Sequence, residues 1–271
     1  MKSRHQAALL IALIAVTFIN LVPVLWAMLT SLKQPVDAFA IPPKLIFEPT
    51  LMFHYEVWVE RGFATFLANS LFVSIITVLI SVPIGAMAGY ALARTRNRFR
   101  HSVLFGLLAV RMFPQILLAI PFFVMANTLG LIDTYWALIL PAAFSAYGTF
   151  MLRQFFLGIP RELEEAATID GCNALGIFRH VVLPLSKPAL AALAILTFMG
   201  SWRSFMWPLI VCQSQSMFTL PVALSQFQGL YGVQWALLMA GSTIMLLPML
   251  IVFIVGQRYF ISGIQLGAVK G

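Results

Sequence analysis

The densest group of acidic side chains is Glu162, Glu164, Glu165 and Asp170, four of the nine acids within nine residues. Carboxylates so placed could serve acid–base chemistry, but their setting, Ile159-Pro160-Arg161-Glu162-Leu163-Glu164-Glu165-Ala166-Ala167-Thr168-Ile169-Asp170-Gly171, is that of a short helix. Pro160 suits a first turn, where its missing N–H is no loss. The three glutamates complement the positive end of the helix dipole. Gly171 can take the left-handed conformation that ends such a helix, which would run about ten residues, or roughly 15 Å. Leu163, Ala166, Ala167 and Asp170 fall at i, i+3, i+4 and i+7 and share one side, small and largely apolar. A helix this short is marginal alone in water and needs a docking site. The chemistry these residues point to is recognition by shape and hydrogen bonding.

Other reactive side chains form no constellation. His5, His54, His101 and His180 are scattered without ligand spacing, so no metal is expected. Cys172 and Cys212 fall on opposite sides of the topology below, which argues against a disulfide. No Gly-x-x-x-x-Gly-Lys-Ser/Thr phosphate loop occurs, so the chain has no such cradle for ATP. Arg111 and Arg203 lie inside long apolar runs, where charge is costly and must face the interior, water or a partner.

Those runs are what must position the helix. The 271 residues are 61% hydrophobic and 10% charged, too apolar for a soluble chain of this size. Six spans of bilayer length are expected, at about 7–32, 66–93, 102–127, 135–152, 188–212 and 235–256, within one membrane domain covering 1–271. The first is too long, and lacks a small-residue cleavage site, for a signal peptide. Proline interrupts every span (Pro23, Pro83, Pro114, Pro121, Pro141, Pro208 and Pro248).

With the N-terminus cytoplasmic, that side holds Lys2, Arg4, Arg94, Arg96, Arg98, Arg100, Arg153, Arg161, Arg179, Lys187, Arg258 and Lys270, against Lys33, Lys44 and Arg61 outside. This asymmetry puts both termini in the cytoplasm. It also accounts for the net charge of +8 without a nucleic-acid partner. The Arg94–Arg100 cluster is expected to meet anionic lipid headgroups. The segment 213–234 reads as an uncharged outer loop. The acidic helix falls in an inner loop, 153–187, between spans four and five. A second short helix over Ala174–Pro184 would return the chain to the membrane, with Pro184 and Pro188 bracketing the fifth span.

Glu165-Ala166-Ala167, three residues, Gly171, nine residues, then Val181-Val182-Leu183-Pro184 resembles the EAA loop of permeases of ATP-binding-cassette importers. Valine stands where isoleucine is usual before the Leu-Pro. Leu129-Gly130-Leu131-Ile132-Asp133-Thr134, Ile159-Pro160, Phe218-Thr219-Leu220-Pro221-Val222 and the ending Gly267-Ala268-Val269-Lys270-Gly271 are similar to the carbohydrate branch, the smaller permease of maltose-type importers. The likeness runs through nearly the whole chain.

This resemblance implies an all-α membrane protein with six transmembrane helices and a coupling-helix (EAA) loop, in a bacterial or archaeal cytoplasmic membrane. It implies a permease without catalytic residues. Its partners would be a dimer of ATP-binding subunits carrying ATP and Mg, a second homologous permease and an external solute-binding protein, in contact with membrane lipid. No cofactor or metal would be bound by this chain itself. Leu163, Glu164, Glu165, Ala166, Ala167, Asp170, Gly171, Phe178 and Pro184 would couple to the ATPase. Trp202, Arg203, Phe205 and Trp207 are candidates for the solute pathway. The sugar-permease pattern usually has asparagine where Arg203 stands, so Arg203 either meets an anionic solute or pairs with the second permease.

A secondary, ion-coupled transporter is the alternative class. Such proteins commonly need carboxylates within the membrane, and none of the nine acids falls inside an expected span. A membrane-embedded enzyme would need a catalytic constellation at that depth, and none is present.

Overall fold

A computed structural model describes residues 2–38, 40–95, 99–229 and 232–268. Arg96, Asn97 and Arg98 of the basic cluster and Val269, Lys270 and Gly271 of the C-terminal motif lie outside the described residues, as does the side chain of Arg111. The described residues are mostly helical: α1 (Lys2–Ser31), α2 (Phe63–Arg94), α3 (Arg100–Met112), α4 (Ala119–Thr128), α5 (Tyr135–Ala143), α6 (Ala146–Leu157), α7 (Glu162–Ile169), α8 (Lys187–Trp202), α9 (Met206–Val211) and α10 (Trp235–Ala268). Very short helices occupy some of the connections.

Among the described residues, Leu9–Ser31, Phe63–Arg94, Tyr135–Leu157 and Trp235–Arg258 are each long and apolar enough to cross a membrane. Ala174–Leu185 with Lys187–Trp202 make a fifth if taken together across a 77° bend. The third expected span, 102–127, is divided. Phe113 is extended (φ −78°, ψ 129°) because the ring of Pro114 disfavours the helical region for the residue before it. The fourth is interrupted at Phe144 and Ser145, where Ser145 Oγ accepts the Gly148 N–H at 3.0 Å and restarts the helix as its N-cap. It then runs on to Leu157, as the apolar Phe155-Phe156-Leu157 requires. The fifth stops at Trp202 and resumes at Met206. The segment 213–234 is not plain loop: it includes a helix, Leu220–Ser225, and paired two-residue strands, Gln228–Gly229 and Gly232–Val233, antiparallel with Gln228 opposite Val233.

The chain divides into two compact units, Met1–Leu67 with Val222–Pro248, and Ala68–Pro221 with Met249–Gly271. In the first, Phe63 stacks on Phe227 (ring centroids 5.6 Å apart, 11° between planes) and meets Phe66 edge-on. Gly241 allows this packing, since a Cβ there would lie 2.6 Å from Leu224 Cδ2 and 2.8 Å from Phe63 Cε1. Lys33, just beyond α1, is buried with its ammonium 4.5 Å from the centre of the Trp26 ring, so an aromatic face offsets part of its lost hydration.

In the second unit, Ala86, Leu152, Phe156, Val182 and Leu193 share one core cluster beneath the 153–187 loop. Val73, Leu138, Ile139 and Val211 form another. The contact of α2 with α6 runs through glycine. At Gly89 a Cβ would stand 3.0 Å from both the Arg153 nitrogen and the Thr149 oxygen, the close backbone approach that small residues give membrane helices.

Candidate functional site

The acidic stretch folds into α7, shorter than expected. Its first residue is Glu162, with Pro160 and Arg161 in the approach to it. It ends as expected. Gly171 has φ +84°, its N–H reaches Thr168 O at 3.0 Å, and the Cys172 N–H reaches Ala167 O at 2.9 Å. These bonds occupy carbonyls that the helix leaves open.

The face expected to be shared by Leu163, Ala166, Ala167 and Asp170 divides. Leu163, Ala166 and Asp170 are exposed, whereas Ala167 is buried against the unit's own core. Glu164, one turn before Ala167, also turns inward, while Glu165 is exposed. The outward side gains Ile169, 87% exposed, and Leu175 beyond the turn is 71% exposed. Neither apolar residue was singled out from the sequence. Ile169 in particular sits one position before Asp170 on a side whose limits only the packed face reveals.

Asn173 starts the return segment by accepting the Gly176 N–H on Oδ1 at 2.8 Å. A π-helical turn, Phe178–Val182, lies within it. The segment joins α8 across the 77° bend between Pro184 and Pro188, where buried Ser186 donates from Oγ to Val182 O at 2.7 Å. Phe178, expected among the coupling residues, is buried, its ring 5.0 Å from Tyr90, which in turn meets Phe156 edge-on. Pro184 is exposed.

The inward side of α7 is held to the end of α2. Arg94 donates from Nε to Glu164 Oε1 at 2.6 Å and pairs with the same oxygen through Nη2, also at 2.6 Å. Nη2 additionally donates to Ile159 O at 3.0 Å, and the Tyr90 hydroxyl donates to Glu164 Oε2 at 3.1 Å. The side chains of the pair are only 12% and 14% exposed. Ion pairs so sheltered from water, with their remaining valences hydrogen-bonded, are rigid and costly to break from one side. Arg94 is thus engaged within the protein, in place of the headgroup contact expected for it. Neither Tyr90 nor Arg94 could be matched to Glu164 from sequence, since 70 and more residues separate them.

The expected pathway residues separate into two pairs. Trp202 is buried, stacked on Phe198 with centroids 5.6 Å apart and 14° between planes, so that face is closed to a solute. Trp207 donates its indole N–H to Ala137 O at 2.8 Å. Pro141 has no N–H to offer that carbonyl, so Trp207 satisfies the group that proline frees. Arg203 and Phe205 are exposed where α8 gives way to α9. Replacing Trp207 with phenylalanine leaves the carbonyl unmet and is expected to cost about 1–3 kcal/mol. The cost should shrink once Pro141→Ala restores the helical donor. A double-mutant cycle on thermal unfolding in detergent measures both, and additive effects would refute the pairing.

At the other end of α2 a polar cluster ties down residues 213–220. Asn69 donates from Nδ2 to Ser216 O (2.7 Å) and Phe218 O (2.9 Å) and accepts the Tyr135 hydroxyl at 2.7 Å. Ser70 Oγ accepts the Leu220 N–H at 2.8 Å. Asp133, in the left-handed region at φ +60°, accepts the Gln213 and Ser214 N–H groups at 2.9 and 3.0 Å. Hydrogen bonding from Ser214, joined by Gln213, holds its carboxyl below the usual carboxylate range. Residues 133–135 and 213–218, far apart in sequence, are therefore joined through Asp133 and Asn69, and Ser70 fixes Leu220 beside them.

The fold is that of a helical membrane protein with broken spans and a short, glycine-terminated helix held by one face. Residues 81–265 match the family described as binding-protein-dependent transport system inner membrane component, and the chain belongs to that family. Among its relatives are the arabinooligosaccharides transport system permease protein AraQ of Halalkalibacterium halodurans, 40% identical over 260 residues (94% of this chain, 93% of the relative), and the trehalose/maltose transport system permease protein MalG of Thermococcus litoralis, 32% identical over 268 residues (97% and 96%). The fold is shared with a chain in the crystal structure of a bacterial ABC transporter involved in import of the acidic polysaccharide alginate. The TM-score is 0.81 at 24% identity, covering 96% of this chain and 98% of that one.

Proposed function

We propose that this chain is the permease subunit of an ATP-driven importer of saccharides. Its relatives named for arabino-oligosaccharides and for trehalose and maltose support the solute class. In this reading the chain crosses the membrane six times with both termini cytoplasmic. The third crossing is α3 with α4, and the fifth is α8 with α9, each broken where backbone groups can face protein or water in place of lipid. A dimer of ATP-binding subunits supplies the ATP and Mg sites, a second homologous permease completes the pathway, and an external binding protein delivers solute.

The observation that carries the coupling role is the geometry of α7. Leu163, Ala166, Ile169 and Asp170 are exposed on one side while Glu164 and Ala167 are fixed on the other. An exposed apolar edge on a rigid short helix suits insertion into a cleft of an ATP-binding subunit. Closure of the nucleotide dimer would then move α7 as a body and switch the pathway's access. Of the proposed pathway residues, Arg203 and Phe205 are exposed, whereas Trp202 is buried on Phe198 and Trp207 is bound to Ala137.

Purification of the tagged chain in mild detergent should bring down a nucleotide-binding protein. Glu165→Lys should lose that protein or its coupled ATPase activity while the membrane level of the chain holds, and Arg203→Ala should lower uptake without either loss. Solute uptake that proceeds with no nucleotide-binding partner would overturn the reading in favour of a secondary transporter.

A further inference from the structure

The two polar clusters described above lie on one helix. Tyr90 and Arg94 grip Glu164 of α7 at one end of α2; Asn69 and Ser70 grip residues 216–220 at the other. Twenty-five residues separate Asn69 from Arg94, a rise of about 37 Å along an α-helix, enough to cross the hydrocarbon core and reach both surfaces.

Between these ends α2 runs on through Pro83 as one helix, and one of its faces is deeply embedded. Ser70, Ser74, Thr77 and Ser81 recur at helical spacing and are all buried. The seam continues through Gly85, whose Cβ would meet Gly148 C at 3.6 Å, to the tighter contact at Gly89. Small side chains along one face let the helix pack closely, so a displacement at one end is passed on in place of being absorbed by bending side chains. By contrast, the covalent route from α7 to α8 passes through Gly171, a π-helical turn and a 77° bend.

We propose that α2 is a transmembrane strut: the Arg94–Glu164–Tyr90 clasp transmits movement of the coupling helix into α2, and the Asn69–Ser70 clasp delivers it to the segment 213–220 on the outer face. This rests on α7 being the ATPase-coupling helix. The strut makes α2 a second output of α7, parallel to α8, and links nucleotide state to the outer surface where a binding protein meets the permease. Linkage makes the effect reciprocal, so an event at 213–220 alters the energetics at Glu164 by the same factor. Arg94, Tyr90, Asn69 and Ser70 are positioning residues in this scheme.

Hydrogen exchange read by mass spectrometry on the whole assembly, with its ATP-binding subunits and second permease in nanodiscs, tests this. The probe is ATP with orthovanadate, which traps the closed nucleotide dimer and requires no knowledge of the solute. In the wild type, exchange should change on trapping both in peptides covering 160–185 and in those covering 213–220, the latter by about fivefold or more, the lower end of couplings between distant sites. In Arg94→Ala the inner peptides should still respond while the outer change is lost, and the charge-swapped Arg94→Glu/Glu164→Arg pair should recover part of it. Asn69→Ala should lose the outer response without touching the inner one, and serves where Arg94→Ala fails to assemble. An outer response that survives in both single variants overturns the strut alone. Absence of any inner response in the trapped wild type overturns the coupling role of α7 and the strut with it.

Discussion

Substituting valine for Gly171 is expected to lower coupled transport about tenfold while the chain still reaches the membrane, because holding a side-chain-bearing residue in the left-handed region costs roughly 1–2 kcal/mol. The cost lies in the backbone alone. A Cβ at Gly171 would have no atom within 4 Å, so the substitution meets no steric wall inside the chain. What it opposes is φ +84°, and with it the two hydrogen bonds that close α7 on Thr168 and Ala167. A chain that relaxes this strain unwinds the last turn of α7 and re-aims Ile169 and Asp170, the residues proposed to enter the ATP-binding partner. β-Branching makes valine harsher than alanine at such a position. Asparagine visits the left-handed region more readily, so Gly171→Asn should keep most of the activity. Coupled ATPase activity of the purified assembly, set against the chain's level in the membrane, measures both. Equal losses in the two variants would show that the surface at Gly171 matters and its conformation does not.

Much of α7 was readable because its determinants are local. The acids at its start and the glycine at its end act within one or two turns, and the structure reproduces that order. The break at Phe113 follows equally from Pro114, a nearest-neighbour effect. What was not readable depends on partners far along the chain. Arg94 looks like one more cation in a basic run, and only the fold brings it to Glu164. Trp207 reads as an aromatic ring available for stacking until the carbonyl left free by Pro141 is found beside it. Ala167 illustrates the same limit on a smaller scale. Helical spacing puts it within about 40° of Leu163, and periodicity alone could not say on which side of that boundary the core begins. Asn69 carries no motif at all, yet it organises residues 216–218 and Tyr135.

Gly89→Val is expected to be the most damaging single change in the second unit. A Cβ at that point would stand 3.0 Å from two backbone atoms of α6, Arg153 N and Thr149 O, and 3.3 Å from Leu152 Cβ. Flexible side chains can yield to an added methyl, but backbone held in a helix cannot, so α2 and α6 must separate. Overpacking a well-filled interior typically costs about 1–3 kcal/mol and more where backbone must shift. Here the separation also draws Arg94, five residues on, away from Glu164, and loss of a sheltered ion pair adds up to about 3–5 kcal/mol. Gly85→Ala supplies the contrast within the same seam. Its Cβ would meet neighbours no closer than 3.6 Å, an ordinary contact. Replacing a helical glycine by alanine then favours the folded state by about 0.5–1 kcal/mol. The two variants should therefore move thermal unfolding in detergent in opposite directions, Gly89→Val sharply down and Gly85→Ala slightly up. Joint destabilisation would mean that the glycine stretch of the seam, Gly85 to Gly89, tolerates no side chain. If both were neutral, α2 and α6 would have to pack more loosely than a 3.0 Å approach to backbone allows, and the rigidity on which the strut depends would go with it.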